Sequence, residues 1–279
     1  MEIGYVNGKY VSLDEAVIPI DERGHQFGDG VYEVIRFYNG KPFMLVEHVE
    51  RLINSSKAIR LPIEQSVEDF NQLILQAVEK SELKDCNVYI QITRGIATRL
   101  HLFPNVPVSI TMTVREAKPP KPEMRDNGVK AIILDDERWA NCYIKSLNLL
   151  PNILAKQTAD EAGCYEAILN RDGVVTEGTS SNAYIIKEGK IFTAPLTKQI
   201  LPGITRMAVK RIAEKLNIDF VEEPFTTDLL LSADEVFVTS TTSEIMPIVK
   251  IDDNSIGNGV PGPVTKRLYE QFQLEIAAL

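Results

Sequence analysis

The amino-acid sequence predicts a mixed α+β or α/β protein of two domains, a small N-terminal α+β domain and a larger, barrel-like C-terminal domain. Residues 117–128, A-K-P-P-K-P-E-M-R-D-N-G, hold three prolines followed by polar turn residues. Such a composition resists both helix and central strand, so it predicts an extended connector. Strand patterns with two helical ones precede it, and many short strand patterns with few long helical ones follow it. We therefore expect the domains to span 1–119 and 120–279.

The N-terminal part has the patterns of an antiparallel sheet with accompanying helices. Asn-Gly pairs at 7–8 and 39–40 separate strand-like runs, as tight hairpin turns do. The apolar residues of 45–58 recur on one helical face, and Ser66 with Asp69 three positions later predicts the start of a second helix. Strands are then predicted for N-V-Y-I-Q-I-T-R-G and P-V-S-I-T-M-T-V. Helices segregated beside such a sheet are typical of an α+β domain.

The C-terminal part is richer in strands. Helices are predicted over 150–162, where Gly163 ends the pattern, and over 204–216. Hairpin turns are predicted at 171–173 and 188–189, between strand-like runs. Many short strands with few long helices favour a barrel-like or strongly twisted sheet.

Composition and charge exclude several classes of protein. The formal net charge of -9 over 279 residues argues against nucleic acid or an anionic membrane as the main partner. The three cysteines show no C-x-x-C spacing, so they predict neither disulfides nor a zinc site and fit a reducing cytoplasm. There is no signal pattern and no apolar run of about 18 residues, so we expect neither secretion nor membrane insertion. The three histidines are too scattered to predict a metal site.

The stretch C-Y-I-K-S-L-N-L-L, residues 142–150, sets Lys145 in an apolar setting. One interpretation is structural, with the stem covering apolar surface while the ammonium reaches water. The other is chemical, because partial burial disfavours the charged form of an amine and makes it a usable nucleophile for a carbonyl. The second interpretation requires a cofactor, for which the rest of the chain must supply the binding site.

Three further segments offer groups suited to such a site. Glu177, in V-V-T-E-G-T-S-S-N, places a carboxylate and several hydroxyl groups at the end of a predicted strand, although an ordinary solvated turn explains it as well. In I-L-P-G-I-T-R, Ile204 and Thr205 begin a helix whose free N–H groups suit phosphate, as at any helix N-terminus. The hydroxyl-rich T-S-T-T-S-E, which contains Thr241, follows a strand but also suits a turn.

Arginine side chains supply candidates for binding anions. Arg51 lies on the predicted helix 45–58, where a surface ion pair is the alternative to a functional role. Arg99 and His101 are two residues apart, so on an extended chain both side chains point to the same side and suit one carboxylate.

Taken together, these segments resemble the fold-type IV pyridoxal-phosphate aminotransferases, and among them the D-amino-acid aminotransferases. The resemblance covers nearly the whole chain. It rests on nine segments in order: R-G-H-Q-F-G-D-G-V-Y-E-V (23–34), E-H-V-E-R-L (47–52), Y-I-Q-I-T-R-G (89–95), R-L-H-L-F-P (99–104), I-K-S-L-N-L-L (144–150), Y-E-A-I-L (165–169), T-E-G-T-S-S-N (176–182), K-Q-I-L-P-G-I-T-R (198–206) and V-T-S-T-T-S-E (238–244).

The resemblance implies a role for each candidate residue. Lys145 is expected to bind the aldehyde of pyridoxal 5'-phosphate covalently and to act as the catalytic base. Glu177 is expected to bind the ring nitrogen. The phosphate is expected to be bound by four residues: Arg51, Ile204, Thr205 and Thr241. The substrate carboxylate is expected to be bound by three: Tyr32, Arg99 and His101.

The same resemblance implies the reaction. The expected activity moves the amino group of a D-amino acid, D-alanine, to a 2-oxo acid, 2-oxoglutarate, with ping-pong kinetics and a homodimeric enzyme. The alternatives are an L-branched-chain aminotransferase, a lyase similar to aminodeoxychorismate lyase, and a cofactor-binding protein without turnover. The Arg99-x-His101 pair favours the D-amino acid, because the resemblance to L-branched-chain enzymes does not extend to it.

Overall fold

The computed structural model describes all residues from Met1 to Leu279, and the chain forms two compact units. The first unit consists of Met1–Lys118 with Ile144–Asn148 and Leu279, and the second of Pro119–Tyr143 with Leu149–Ala278. The division lies close to the boundary that the proline-rich stretch predicts. It differs in two places, because 144–148 and Leu279, both expected in the C-terminal domain, belong to the first unit. Whether each unit is an independent domain stays a prediction.

The first unit contains a six-stranded antiparallel sheet and three helices. The strand order is β2-β1-β6-β5-β3-β4. The strands are β1 (Ile3–Val6), β2 (Lys9–Val11), β3 (Gly30–Tyr38), β4 (Lys41–Pro42), β5 (Cys86–Thr93) and β6 (Ser109–Glu116). The helices are α1 (Arg23–Phe27), α2 (Leu45–Ala58) and α3 (Val67–Ser81).

Local chemistry explains why these elements form where they do. Both predicted hairpin turns are confirmed, since Asn7 and Asn39 have positive φ angles of 45° and 47° and each precedes a glycine of positive φ. The predicted capping box is present at the start of α3, because the Asp69 N–H donates to Ser66 Oγ and the Ser66 N–H donates to Asp69 Oδ2. Helix α1 was not predicted, because five residues are too few to show a helical apolar pattern.

The second unit contains a nine-stranded sheet and five helices. Strand order is β12-β11-β10-β13-β14-β7-β8-β9, with β15 paired to β14. The strands are β7 (Val129–Asp135), β8 (Glu166–Arg171), β9 (Val174–Gly178), β10 (Asn182–Lys187), β11 (Lys190–Thr193), β12 (Phe220–Glu222), β13 (Glu235–Ser240), β14 (Glu244–Ile251) and β15 (Asn254–Ser255). The helices are α4 (Pro122–Asp126), α5 (Leu150–Glu161), α6 (Ile204–Lys215), α7 (Thr227–Leu231) and α8 (Pro263–Ala277).

The sheet of the second unit curls, so that β9 at one edge lies beside β10 in its interior. This agrees with the barrel-like architecture that the many short strands predict. One detail of the connector is wrong: it is not extended throughout, because Pro122 begins the short helix α4. Proline suits a first helical position, where its missing N–H has no partner to lose. None of the helices combines the length and apolarity needed to cross a membrane.

Candidate active site

The backbone of Lys145 is held at the edge of the first unit's sheet. Tyr32 of β3 donates its N–H to the Lys145 carbonyl oxygen at 2.9 Å, and the Leu147 N–H donates to the Gly30 carbonyl at 3.0 Å. The Lys145 N–H donates in turn to Ser55 Oγ of α2 at 3.2 Å. The lysine is therefore positioned by a strand and a helix that the sequence predicts separately.

The side chain of Lys145 is half-buried and meets an aromatic ring rather than an acid. Nζ lies 3.4 Å from Tyr32 Oη and 4.4 Å from the centroid of the same ring. No carboxylate pairs with it. A single long hydrogen bond leaves the amine free to move toward a reacting group.

Arg51 belongs to a buried cluster with two other charged or titratable side chains. Its Nε donates to Glu33 Oε1 at 2.5 Å and its Nη2 to Glu33 Oε2 at 2.9 Å, while His48 Nδ1 lies 2.8 Å from Glu33 Oε2. Arg51 is only 8% exposed and Glu33 is fully buried. The alternative of a surface ion pair for Arg51 is therefore wrong, because the pair lies in the interior.

Burial and charge act against each other in this cluster. Burial by itself would raise the pKa of the Glu33 carboxyl, but the charge of Arg51 and the hydrogen bonds from His48 and Arg51 hold that pKa well below its ordinary value. Burial lowers the pKa of His48, with Arg51 and Lys145 adding to the effect and Glu33 opposing it. At neutral pH the cluster is thus a carboxylate, a guanidinium and an uncharged imidazole.

Arg99 and His101 lie together on the loop that follows β5. The Arg99 guanidinium carbon is 4.7 Å from the Phe27 ring centroid, and the His101 ring meets the same phenylalanine edge-on at 5.7 Å. Neither side chain has a hydrogen bond or ion pair within the chain. Both side chains contact Phe27, whereas Tyr32 contacts Lys145 and Tyr89 and makes no contact with either of them. A shared role of the three in binding a carboxylate stays a prediction.

Glu177, near the end of β9, is buried and held by three N–H donors. Arg138 Nη1 donates to Oε1 at 2.5 Å, Asn182 Nδ2 donates to Oε2 at 2.9 Å, and the Leu201 N–H lies 3.2 Å from Oε2. The interpretation of Glu177 as part of a solvated turn is wrong, because the residue is 3% exposed. Burial raises the pKa of the Glu177 carboxyl, and the Arg138 charge and hydrogen bond oppose that rise.

Arg138 links Glu177 to a second buried acid. Its Nε and Nη2 both donate to Asp136 at 2.8 Å, and Thr176 Oγ1 donates to the same carboxylate at 2.9 Å. Although burial works against the charge, these bonds and the nearby Glu177 raise the pKa of the guanidinium above its ordinary value. Arg138 therefore pairs with both buried carboxylates, and Arg171, whose Nε lies 3.2 Å from Asp136 Oδ2, is a second cation beside Asp136.

Asn182 ties Glu177 to the start of α6. Its Nδ2 donates both to Glu177 and to the Leu201 carbonyl oxygen at 2.9 Å. A Cβ on Gly203 would lie 2.1 Å from Asn182 Oδ1, so only glycine fits at this close approach. Gly203 is the N-cap of α6 and supplies no side-chain bond, which leaves the first N–H groups of the helix free.

Two hydroxyl groups of the second unit have no hydrogen-bond partner in the chain. Thr205 is buried at the start of α6, and Thr241 directly follows β13. The register pairs Thr239 of β13 with Asn182 of β10, so Thr241 lies two residues beyond the strand position that Asn182 occupies. Through its hydrogen bonds and its strand pairing, Asn182 therefore connects the segments that carry four predicted site residues: Glu177, Ile204, Thr205 and Thr241.

Sequence reasoning missed Glu33, His48, Arg138 and Asn182. Of these four, only Glu33 could have been recognised from its neighbours in the sequence. The apolar residues that point inward along β3 are Val31, Ile35 and Phe37, and Glu33 occupies the same register. A carboxylate in a buried register needs a cationic partner, so a search for one could have found Arg51. The other three are revealed only by contacts between distant segments.

Comparison with known proteins identifies the family. The family model described as amino-transferase class IV matches residues 30–251. A D-alanine aminotransferase of Staphylococcus aureus (strain N315) is 45% identical over 98% of this chain and 97% of the relative. A D-alanine aminotransferase of Bacillus licheniformis is 45% identical over 97% of this chain and 95% of the relative. The chain belongs to the class IV aminotransferases, as the nine segments predict.

Solved structures agree on the fold. The branched-chain amino acid aminotransferase of Escherichia coli has a TM-score of 0.91 at 28% identity and covers 97% of this chain and 93% of its own. That of Thermobaculum terrenum, solved in its pyridoxal-phosphate form, has a TM-score of 0.87 at 26% identity and covers 99% of this chain and 94% of its own. The chain is thus a fold-type IV, pyridoxal-phosphate-dependent aminotransferase, an enzyme with the cofactor that the sequence predicts.

The residues present fit that cofactor. Such a group requires an amine for its aldehyde, donors for its phosphate and an acid for its ring nitrogen. The unpaired Lys145 amine, the uncapped start of α6 and the buried Glu177 carboxylate have those three chemistries. A groove of about 860 Å³ in the first unit, lined by residues that include Tyr5, Gln65 and Val108, contains none of the predicted site residues.

Proposed function

We propose that the chain is a D-amino-acid aminotransferase that takes the amino group of D-alanine and passes it to 2-oxoglutarate by a ping-pong mechanism. The observation that carries this proposal is the exposed pair formed by Arg99 and His101 on Phe27, which have no internal partner. The relatives named D-alanine aminotransferase, at 45% identity over nearly the whole chain, support the same substrate.

Lys145 is the catalytic residue in the proposed aminotransferase reaction. Its backbone is fixed by β3 and α2, whereas its Nζ has only the 3.4 Å contact with Tyr32 Oη. An amine without a counter-ion is available both to bind the cofactor aldehyde and to accept a proton. With the cofactor bound, Nζ would accept the proton from the substrate α-carbon and, as an ammonium, would be the proton donor for the rest of the transfer. Tyr32 orients the amine during this transfer.

Glu177 is assigned to the cofactor ring nitrogen. When bound, pyridoxal phosphate supplies an electron sink for the carbanion that forms as the α-proton leaves. The three N–H donors around Glu177 favour its ionised form, and a carboxylate there keeps the adjacent ring nitrogen protonated. Because those donors hold it rigidly, the acid needs no reorganisation during the reaction.

The phosphate is assigned to the start of α6 and to Arg51. The free N–H groups of Ile204 and Thr205 suit an anion, and the helix dipole adds to the attraction. The Thr205 and Thr241 hydroxyls, which have no partner in the chain, supply further donors. Arg51 contributes its charge, with its orientation set by the two hydrogen bonds to Glu33.

The proposed substrate is tested by comparing the two enantiomers of alanine. We expect the purified enzyme, given 2-oxoglutarate, to form pyruvate from D-alanine and to form it from L-alanine at a rate lower by at least about a hundredfold. The likeness to branched-chain aminotransferases favours L-leucine as the alternative donor, so L-leucine belongs in the same assay. Turnover of L-leucine without D-alanine would contradict the proposal.

The two residues of the carboxylate-binding pair (Arg99 and His101) are tested separately. Arg99→Met removes the only permanent charge of the pair, so KM for D-alanine and for 2-oxoglutarate should both rise by about tenfold or more. His101→Gln should raise both values less. Unchanged KM values in both variants would assign the substrate carboxylate to other residues.

We also infer a homodimer in the cytoplasm. The first unit exposes large apolar side chains on two loops, at Ile20 (83% exposed) and Leu102 (81% exposed). The two loops adjoin, because the Ala97 N–H donates to the Asp21 carbonyl oxygen, and exposed apolar side chains on adjoining segments favour an interface. The cysteines are all free, as a reducing compartment requires. Light scattering should give twice the chain mass of 31.2 kDa, and Leu102→Glu should shift the enzyme toward monomer. A monomeric mass for the wild type at micromolar concentration would contradict the inference.

A further inference from the structure

Arg23 is a buried arginine to which neither the sequence motifs nor the proposed chemistry gives a role. It is 3% exposed and begins α1. Its Nη1 donates to the Leu100 carbonyl oxygen at 2.6 Å, and its Nε donates to Asp29 Oδ2 at 2.9 Å. Leu100 lies between Arg99 and His101. The buried guanidinium therefore holds the peptide group that separates the two residues of the carboxylate-binding pair.

A ring contact links the same residues a second time. The guanidinium carbon of Arg23 is 4.8 Å from the Phe27 ring centroid, and that of Arg99 is 4.7 Å from it. The His101 ring also contacts Phe27. Arg23 thus supports both the backbone of the pair and the aromatic ring against which the pair rests.

Arg23 is itself held rigidly, because its partner Asp29 also binds a second buried arginine. Arg94 Nε donates to Asp29 Oδ2 at 2.9 Å, and its two terminal nitrogens donate to the carbonyl oxygens of Ile59 and Arg60. The Arg94 guanidinium carbon also lies 3.6 Å from the Phe103 ring, farther along the loop. These contacts hold the loop on both sides of the pair without using the pair's own side chains.

The base of the loop is closed by a glycine. Gly95 has a φ of +92°, and a Cβ there would lie 2.1 Å from the Pro107 carbonyl oxygen. Within the loop, the Ala97 N–H donates to the Asp21 carbonyl at 3.0 Å. The chain from 98 to 104 has no regular secondary structure, so side-chain contacts such as that of Arg23 determine its conformation.

We propose that Arg23 is a positioning residue for the substrate carboxylate: by binding the Leu100 carbonyl oxygen, it orients Arg99 and His101 toward one anion. The proposal rests on the proposed function, in which that pair binds the carboxylate. A fixed peptide plane at position 100 sets the directions of the side chains on either side of it. Two donors held in the geometry of the bound anion lose little freedom when it binds, which strengthens binding without a new contact.

Loss of the positioning by Arg23 predicts a specific change in KM and kcat. Every amino acid and 2-oxo acid that the enzyme uses presents the same carboxylate to the pair. Arg23→Met should therefore raise KM for D-alanine and for 2-oxoglutarate together by about tenfold, with kcat changed less than about twofold. The affinity of the apoenzyme for pyridoxamine 5'-phosphate should not change. A structural role alone would lower the melting temperature without this joint rise in KM.

Two further variants keep the test decisive if Arg23→Met folds poorly. Arg23→Lys retains the charge beside Asp29 but cannot reach both partners, so both KM values should rise by about threefold. In Arg99→Met, adding Arg23→Lys should raise both KM values by less than it does in the wild type, because only His101 then remains to be positioned. The control is Arg115→Met, an exposed arginine paired with Glu2 in the same unit, which should leave both KM values unchanged.

The outcomes separate this inference from the proposed function. If Arg99→Met raises both KM values but folded Arg23→Lys and Arg23→Met do not, the positioning role is wrong and the carboxylate-binding pair stands. If Arg99→Met and His101→Gln leave KM unchanged, the pair itself is wrong. A further rise when Arg23→Lys is added to Arg99→Met, equal to its effect in the wild type, would also overturn the positioning role.

Discussion

Lys145 and Glu177 are held in opposite ways. Lys145 is fixed through its backbone, by hydrogen bonds with Tyr32 and Ser55, while its amine has one contact at 3.4 Å. Glu177 is fixed through its side chain, by donors from Arg138, Asn182 and Leu201. The first arrangement leaves the functional group mobile and the second immobilises it.

This contrast matches what the two groups must do in the proposed reaction. A base that leaves the cofactor and carries a proton has to change position, so a firm side-chain bond would slow it. An acid that stabilises one charge throughout the reaction benefits from being preorganised. The mobile group, the Lys145 amine, is thus held through its backbone, whereas the rigid group, the Glu177 carboxylate, is held through its side chain. Four predictions test this contrast.

The largest effect is expected from removing the mobile group. Lys145→Ala should lower kcat by about a thousandfold or more and abolish the visible absorption of the lysine-bound cofactor. Lys156→Ala is the matched control, because Lys156 also lies over a tyrosine ring, at 4.6 Å, and should retain both properties. Absorption that survives in Lys145→Ala would mean that another lysine binds the aldehyde.

Arg138→Met removes the cation that binds the rigid Glu177 carboxylate. It leaves Glu177 buried without a cation and Asp136 with only Arg171, so the free energy of unfolding of the apoenzyme should fall by about 3–5 kcal/mol. Denaturant titration measures the change. Arg211→Met, which removes an exposed partner of Glu275, should cost less than about 1 kcal/mol. Adding Glu177→Gln to Arg138→Met should recover part of the loss, and no recovery would argue against charge compensation at Glu177.

Glu177→Gln keeps the shape of the rigid group but removes its charge. Cofactor binding should persist, and kcat should fall by about a hundredfold because an amide stabilises a protonated ring nitrogen less. Single-turnover absorbance measurements report this rate. Glu235→Gln alters another buried glutamate of the second unit, which binds the start of α8, and should affect stability rather than kcat. Equal single-turnover rates in Glu177→Gln and wild type would contradict the assigned role.

The smallest effect concerns the buried cluster of Glu33, His48 and Arg51. The folded state lowers the pKa of His48 below its unfolded value of 6.5, so the stability that the neutral ring contributes is present above that pH and is lost as the pH falls below it. The pKa of Glu33 is also lowered, but from 4.5, so Glu33 acts at more acidic pH. Between about pH 7.5 and about pH 5.5, wild type should lose roughly 1 kcal/mol more stability than His48→Gln.

Chemical unfolding at the two pH values measures this difference. His25→Gln, which changes an exposed histidine on α1, is the control and should lose as much stability as wild type. An identical loss in His48→Gln and wild type would mean that His48 is not held neutral.

Most of the fold was predictable because its signals are local. The span 45–58 coincides with α2, and the capping box at Ser66 coincides with the start of α3. Periodicity and capping act over a few residues, so they can be recognised in the sequence alone. Helix α8 was not predicted, although Leu268 and Phe272 bury one of its faces. The helix at Pro122 was missed because proline was interpreted only as a breaker.

The amino-acid sequence was enough to predict most of the elements, the family and the candidate residues, because each depends on short motifs in a fixed order. What those residues contact was visible only in the folded chain. Arg51 pairs with Glu33, Glu177 with Arg138, and Arg23 with the Leu100 carbonyl oxygen. These partners come from different elements or are separated by loops, and burial decides which charges must be compensated. That balance of burial and charge exists only once the chain has folded.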